Sequence, residues 1–423
     1  MSSQNPYSPN GPVSPDHFIG RRAEIATAFD QIANRGHVAV WGEPKIGKSS
    51  FLKKLAFPSA WQAQGLAPSA AVVVLLTCLV IHPFTAAGFW HEVLNILRDR
   101  LEENSDLQTD VKTLLQQGQA TRDGFRRVLQ KLGRQGKLLV LLVDDYDAAL
   151  HPHAQYTKSD IEAFVNECRS FALYHNESQY FSMIVASTQR LDKFGSTINS
   201  TNGSPWFNHY LFLPLKSFTE PEINDLLKRM TPNLRQGVQR LTGRNPALLQ
   251  IAAYLLYQER ELRTGHLPNA EALARQVELM TRQVFEIAWQ RSEVEAQTLL
   301  MLIALSELRG RIPGKQFDLG GLDIVFSQKE RELRDLEDRG LIVSTKEGSL
   351  KKYAFDSAIM EQWVIQELLN SDDEQLQRRQ KVLLGINRQQ AEKVATAARW
   401  LWSHKDQVPS IIKLAVDVIE PLS

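Results

Sequence analysis

Apolar residues are grouped along this chain in two ways, and the change falls near Leu215. Before it, short continuous runs dominate: His37 to Trp41, Ala71 to Thr77, Leu138 to Val143, Phe181 to Ala186 and Tyr210 to Leu213. Their length and their β-branched or bulky side chains predict buried strands. Between them lie stretches of helical period, Ala23 to Ala33, Ala86 to Arg98, Asp123 to Leu132 and Ser159 to His175, with a turn-rich polar stretch after Arg98. Continuous apolar strands alternating with helices predict a parallel sheet covered on both faces. The longest apolar run, Ala70 to Ile81, is too short to span a bilayer and reads as a core strand.

After Leu215 the period is helical. Thr219-Glu220-Pro221-Glu222 has the features of a helix start: a cap, a proline near the first turn and acids at the positive end. Helices are predicted over Ala247 to Tyr257, Ala270 to Arg291 (capped by Asn269), Ala296 to Leu308 and Glu330 to Arg339. Gly340 to Ser344 and Tyr353 to Phe355 flank a charged turn and read as a hairpin, followed by a helix over Asp356 to Leu369. Helix, helix, hairpin suggests a winged helix. Asp372 to Ser423 reads as a helical extension behind an acidic junction.

Composition narrows the class. The 423 residues leave room for several domains, and 43% apolar with 23% charged content suits a globular protein. Net charge is +1, so no overall basic field draws the chain to nucleic acid or anionic lipid. Cys78 and Cys168 lie in apolar surroundings at no metal-ligand spacing, which predicts buried thiols and suits a cytoplasm. Residues 1–16, rich in Ser, Pro, Asn and Gly, read as a flexible tail, and no signal peptide or repeat is visible.

Chemistry concentrates where the first strand ends. Gly42-Glu43-Pro44-Lys45-Ile46-Gly47-Lys48-Ser49 fits G-x-x-x-x-G-K-[ST] without mismatch, and Ser50 continues it into a helix. A strand, a glycine-rich loop and a helix make a phosphate cradle. The loop turns its N–H groups inward and the helix N-terminus adds positive charge. Lys48 would reach the β- and γ-phosphates of ATP, and the Ser49 hydroxyl would sit on Mg²⁺. The alternative is a chance glycine-rich turn, against which the flanking strand and helix speak. Asp144, ending the third strand, fits the acid on the metal side, and Asp145 the base that polarises water. Both acids, and Asp147 after them, could also be an exposed turn. The fourth strand runs into Ser187-Thr188-Gln189-Arg190, at a sheet edge where strand ends converge on ligands. A hydroxyl or cation there could sense the γ-phosphate. Arg190 is the candidate, with a solvated loop arginine as the alternative.

Taken in order, these features resemble a STAND-class P-loop ATPase (signal-transduction ATPases with numerous domains), a bacterial-type relative of the AAA+ and origin-recognition ATPases. Phe18-Ile19-Gly20-Arg21-Arg22-Ala23-Glu24 is similar to an F-x-G-R-x-x-E entry motif, ahead of the phosphate loop and the Asp144-Asp145 strand end. Ser204-Pro205-Trp206-Phe207-Asn208 resembles a bacterial STAND signature, and Gly243-Arg244-Asn245-Pro246 resembles the G-x-x-P turn of a helical lid. The resemblance implies an α/β P-loop NTPase with a five-stranded, mostly parallel sheet, then a helical lid, a winged helix and a helical C-terminal extension. The segments would be a tail over 1–16, the ATPase domain over 17–213, the lid over 214–290, the winged helix over 291–370 and the extension over 371–423. It also implies that Ile19 and Gly20 line an adenine pocket closed by Pro246, and that Arg190 is the sensor. ATP or ADP with Mg²⁺ would be the ligands, and slow hydrolysis would reset a regulatory switch.

Two departures bear on partners. The family's long sensor array and fused effector are missing from this sequence, which places sensing or output in a protein partner, in a nucleotide-driven homo-oligomer, or in the extension. The second reading is an ATP-dependent DNA-binding protein of origin-recognition or transposition-regulator type. Against it, Lys329 to Arg339 carries Glu330, Glu332, Asp335, Glu337 and Asp338 against Lys329, Arg331, Arg334 and Arg339, a net negative helix that phosphates would repel. Lys346, Lys351 and Lys352 make the hairpin only mildly basic. The expected role of the winged helix is internal: folded onto the nucleotide domain with ADP and released with ATP. The apolar positions of Gln389 to Trp402 and Val408 to Leu422 read either as a packed helical cap or as an adaptor that docks a partner, and exposed Trp400 and Trp402 would favour the adaptor.

Overall fold

Strands with no polar face need cover on both sides, and the chain supplies it by returning through a helix after nearly every strand. A computed structural model describes residues 5–174, 176–194, 204–259, 270–308, 319, 321–347, 350–384 and 388–404. In order, the N-terminal half forms α1 (Arg22–Ala33), β1 (His37–Trp41), α2 (Lys48–Ala56), α3 (Pro58–Ala63), β2 (Ala71–Thr77), α4 (Ala86–Arg100), α5 (Asp106–Gln116) and α6 (Arg122–Arg134). It continues with β3 (Leu138–Asp144), α7 (Lys158–Leu173), β4 (Phe181–Ser187) and β5 (Tyr210–Pro214). The five strands form one parallel sheet in the order β2-β3-β4-β1-β5.

This order explains burial that the sequence alone leaves open. β3 and β4 are interior and buried at every residue. β2 and β5 are edges, and β2 is buried only at alternate positions despite its unbroken apolar sequence. One face of the sheet is filled by aromatic rings from α4, α6 and α7: Trp90 lies 4.7 Å from Phe125 at a tilt, and Phe89 lies 4.9 Å from Phe164.

The C-terminal half forms α8 (Glu220–Leu226), α9 (Pro232–Thr242), α10 (Pro246–Tyr257), α11 (Ala270–Gln290), α12 (Val294–Leu308), α13 (Leu322–Gln328) and α14 (Glu330–Asp338). A hairpin, β6 (Ile342–Glu347) with β7 (Leu350–Phe355), is antiparallel and pairs Ile342 with Phe355. Then come α15 (Ala358–Asn370), α16 (Asp373–Leu384) and α17 (Arg388–Ser403). The chain divides into two compact units, one of Pro12–Gly42 with Gly47–Leu215, the other of Met1–Gly11, Glu43–Ile46 and Lys216–Ser423.

Several elements differ from expectation. The polar stretch after Arg98 contains α5, where Leu107, Val111 and Leu114 fall on one buried face. Each such burial stabilises by roughly 1.5–3 kcal/mol, enough to hold a helix that is otherwise polar. The stretch expected as a flexible tail is packed from Asn5 onward. Tyr7 is buried edge-on against Tyr257, and the Asn5 Nδ2 donates to the Tyr254 carbonyl at 3.0 Å. A single large apolar side chain anchors a segment whose composition predicts none. α13 intervenes between the two helices expected to precede the hairpin.

In the extension, Ala391, Val394, Ala395, Ala398 and Leu401 are buried. The Trp402 indole N–H donates to the Leu368 carbonyl at 2.8 Å, and Trp400 stacks on His404. Neither tryptophan is exposed, so the exposure that would favour the adaptor is not found at Trp400 and Trp402. The Asn269 cap and Val408 to Leu422 lie outside the described residues. Among the described residues no helix is long and apolar enough to cross a membrane.

Candidate functional site

β1 delivers the chain to the carboxyl edge of the sheet, and the loop that follows turns sharply enough to need left-handed backbone. Gly47 has φ 103°, with open space where a Cβ would lie, so conformation rather than crowding asks for glycine there. Lys45 also sits at positive φ, and the Ile46 N–H closes the turn on the Glu43 carbonyl at 3.2 Å. α2 starts at Lys48 with Gly47 as its N-cap and no side chain capping it. A helix start without a side-chain cap is a place where an anion is favoured. The buried Lys48 Nζ donates to the Gly42 carbonyl at 2.8 Å, across the mouth of the loop.

β3 runs beside β2 in a register that sets Thr77 opposite Asp144. The Asp144 carboxylate is buried, accepts a hydrogen bond from the Asp145 N–H at 3.0 Å, and has the Ser49 hydroxyl as a neighbour that favours its charged form. Burial pushes its pKa up. The Ser49 hydroxyl opposes that, the Asp145 charge adds to it, and Lys48 opposes it again. Asp145 follows at positive φ, and its Oδ2 accepts from the Thr77 hydroxyl at 2.7 Å. Lys48, Ser49, Asp144 and Asp145 thus come together from two elements nearly 100 residues apart in sequence. Among the described residues no group of three His, Cys, Asp or Glu is placed to hold a metal. The oxygen pair of Ser49 and Asp144 suits a hard cation that shares its shell with phosphate and water.

The other predicted residues are placed as follows. The Ser50 hydroxyl accepts from the Val13 N–H at 3.0 Å. Arg190 is engaged locally: its Nε pairs with Asp192 at 3.3 Å and its guanidinium lies 4.4 Å over the Phe212 ring. Ile19 and Gly20 are half-buried ahead of α1, with Gly20 at φ 72°. In the other unit, Pro246 is the buried first residue of α10, and the Asn245 side chain before it caps the Ala247 and Leu248 N–H groups. The Glu43 carboxylate, with Pro44 beside it, belongs to that same unit and pairs with Arg339 in a largely buried contact. Arg339 also donates to the Ala288 carbonyl at 3.1 Å.

The Ser204 to Asn208 signature lies elsewhere. It precedes β5, whose first residue Tyr210 pairs with His37, the first residue of β1, whereas the phosphate loop follows the other end of β1. Trp206 is buried there, and the Ser204 carbonyl accepts from Arg169 at 3.3 Å. Sequence reasoning missed the partner roles of Thr77, Asp147 and Arg339. Thr77 alone had a local signal, as a hydroxyl ending a strand.

These features define a fold, a P-loop domain built on a five-stranded parallel sheet and followed by a helical C-terminal part. A family model described as the AAA domain matches residues 31–194, from within α1 to beyond β4. The chain is similar to several solved structures at low identity. The Walker-type ATPase PabY2304 of Pyrococcus abyssi is 15% identical with a TM-score of 0.50, covering 85% of this chain and 99% of its own. The Aeropyrum pernix ORC2 protein in its ADP form is 14% identical with a TM-score of 0.48, covering 86% and 98%. Cdc6p from Pyrobaculum aerophilum is 13% identical with a TM-score of 0.42, covering 86% and 98%. No curated protein matches the chain by sequence.

Proposed function

We propose that the chain is a regulatory ATPase switch of STAND type, acting in the cytoplasm, whose conformation or assembly state follows the nucleotide it holds. The observation that carries this reading is the placement of the buried Asp144 carboxylate next to Ser49 and Lys48. It joins the start of α2 to the end of β3 at the place where a metal–triphosphate needs one hydroxyl, one carboxylate and one cation. The residues from Gly42 to Ser50 would cradle the phosphates through backbone N–H groups, with Lys48 leaving the Gly42 carbonyl for the β- and γ-phosphates. Ser49 and Asp144 would hold Mg²⁺, which supplies charge neutralisation on the phosphates. Asp145 would take the proton of the attacking water once Thr77 releases it. Ile19, Gly20 and Pro246 remain the proposed adenine contacts. Arg190 is a weaker proposal as sensor, because Asp192 and Phe212 already engage it.

The helices and hairpin from α12 to β7 are read as a winged helix that passes the nucleotide state to a protein partner or to another copy. One observation favours a second reading, DNA binding through the hairpin. Lys346 faces Lys351 and Thr345 faces Lys352 across the strands, and like charges directly opposite are stabilised by an anion.

Equilibrium binding of ATP and ADP to Lys48→Ala tests the site. The expected result is loss of binding, with Asp145→Ala retaining ATP unhydrolysed. Parent-like ATP affinity in Lys48→Ala would remove the proposal.

A further inference from the structure

The Asp147 carboxylate takes three hydrogen bonds from one residue. The Thr188 N–H reaches Oδ2 at 2.9 Å and Oδ1 at 3.2 Å, and the Thr188 hydroxyl reaches Oδ1 at 2.9 Å. The two residues are 41 positions apart and follow neighbouring strands, β3 and β4, which are in register to Val143 opposite Val185. Beyond that register the ladder stops, and the Asp147 clamp continues it with side-chain bonds. Asp147 sits in the 3-10 turn Tyr146–Leu150, anchored by the Ala148 N–H on the Asp145 carbonyl at 3.0 Å. The turn that holds Thr188 is therefore the one that starts with Asp145.

A threonine hydroxyl has one proton. Given to Asp147, it leaves the oxygen with lone pairs only. Such an oxygen repels the γ-phosphate oxygens, which are also acceptors, and attracts the hydrogens of water. The neighbouring hydroxyl is committed elsewhere, because Ser187 Oγ donates to the Gln189 carbonyl at 2.6 Å.

We propose that Asp147 is a positioning residue of the hydrolytic site: it clamps the end of β4 to the Asp144-Asp145 turn and fixes the Thr188 hydroxyl as an acceptor that orients the attacking water. The inference rests on the ATPase reading above. Asp147 touches neither nucleotide nor metal in this scheme and acts through Thr188.

The test is steady-state ATP hydrolysis by the full chain, with melting temperature followed alongside. Asp147→Ala and Thr188→Val should each lower kcat about 10- to 100-fold, the scale of a small misplacement in a reacting geometry. KM should stay within about twofold, and the double variant should be no slower than either single one, since both remove the same oriented oxygen. Thr188→Ser keeps the hydroxyl and should retain parent kcat to within about threefold, which separates orientation from packing and stays informative if Asp147→Ala misfolds. Parent kcat in Thr188→Val, additive losses in the double variant, or a loss confined to KM or melting temperature would overturn the proposal. Lys48→Ala separates the two levels. If it hydrolyses ATP like the parent, the ATPase reading fails. If it is inactive while Asp147→Ala and Thr188→Val turn over normally, only the role of Asp147 fails.

Discussion

His37 is buried and His209 half-buried, and their rings lie 5.5 Å apart at the sheet edge opposite the phosphate loop. His37 Nδ1 accepts from the Met183 N–H at 3.0 Å, so a proton added there would break a bond that ties β1 to β4. Burial lowers His37 to about 4 and His209 to about 3, with His37 and the Arg169 charge lowering His209 further. In the unfolded chain both titrate near the ordinary histidine value of about 6.5. Below that pH the unfolded state binds protons that the folded state refuses, so stability rises with pH between about 4 and 6.5 and is lost on acidification. Each imidazole contributes at most about 1.4 kcal/mol per pH unit. Urea unfolding at pH 7 and pH 5 should show a smaller acid loss for His209→Phe, which keeps a ring against Tyr210, than for the parent. Equal losses would show that the pair does not titrate on unfolding.

Legibility in the sequence differs from residue to residue for a physical reason. Lys48 and Ser49 could be read because a phosphate loop is a local object whose glycines and helix start adjoin in the chain. Asp144 could be read because a charge ending an apolar strand stands out. Thr188 and Asp147 could not be paired, since only the strand order brings them together. The sequence favours Arg190 as the sensor for its charge, and the structure gives that charge to Asp192 and Phe212.

Among the elements, the turn between α9 and α10 is tightly constrained. Gly243 has φ 66° and ψ −147°, and a Cβ there would lie 2.5 Å from the Asp356 carbonyl oxygen. Arg244 adds its N–H and its Nε to the Asp356 carboxylate, at 3.0 and 2.8 Å. Gly243→Ala must strain the backbone and displace Asp356, at a cost of at least about 1–3 kcal/mol. Its urea midpoint should fall more than that of Asn245→Ala, which loses a helix cap worth about 1 kcal/mol. The reverse order would mean that the turn relaxes freely. Of the helices, those with a broad apolar stripe, such as α4, α7 and α11, were readable. α5 was not, because three apolar side chains in an otherwise polar stretch settle a helix only when a neighbour covers them.

At the scale of the whole molecule, the parallel sheet followed by helices was legible, because the change from continuous to periodic apolar runs is a property of the chain itself. The division into two units was not. The sequence suggests separate lid, winged-helix and extension segments, while the structure gathers residues after Leu215 into one unit, together with the Tyr7 anchor and the apex of the phosphate loop. As a switch, the protein should change mass in solution with its nucleotide. Light scattering with ADP and with a non-hydrolysable ATP analogue, each with and without duplex DNA at low salt, is expected to show an ATP-dependent step in mass without DNA. A step seen only with DNA would favour the second reading, and no step in any condition would remove assembly from the account.

The knot at Asp356 has a mechanical consequence. One residue closes the hairpin and, through its carbonyl and carboxylate, hems in the backbone between α9 and α10, so the two joints share a single anchor. Bending at either would have to tear both. On the proposed switch, any movement in this half of the molecule would carry α10 and the hairpin as one piece, with flexing left to the connections on either side of it.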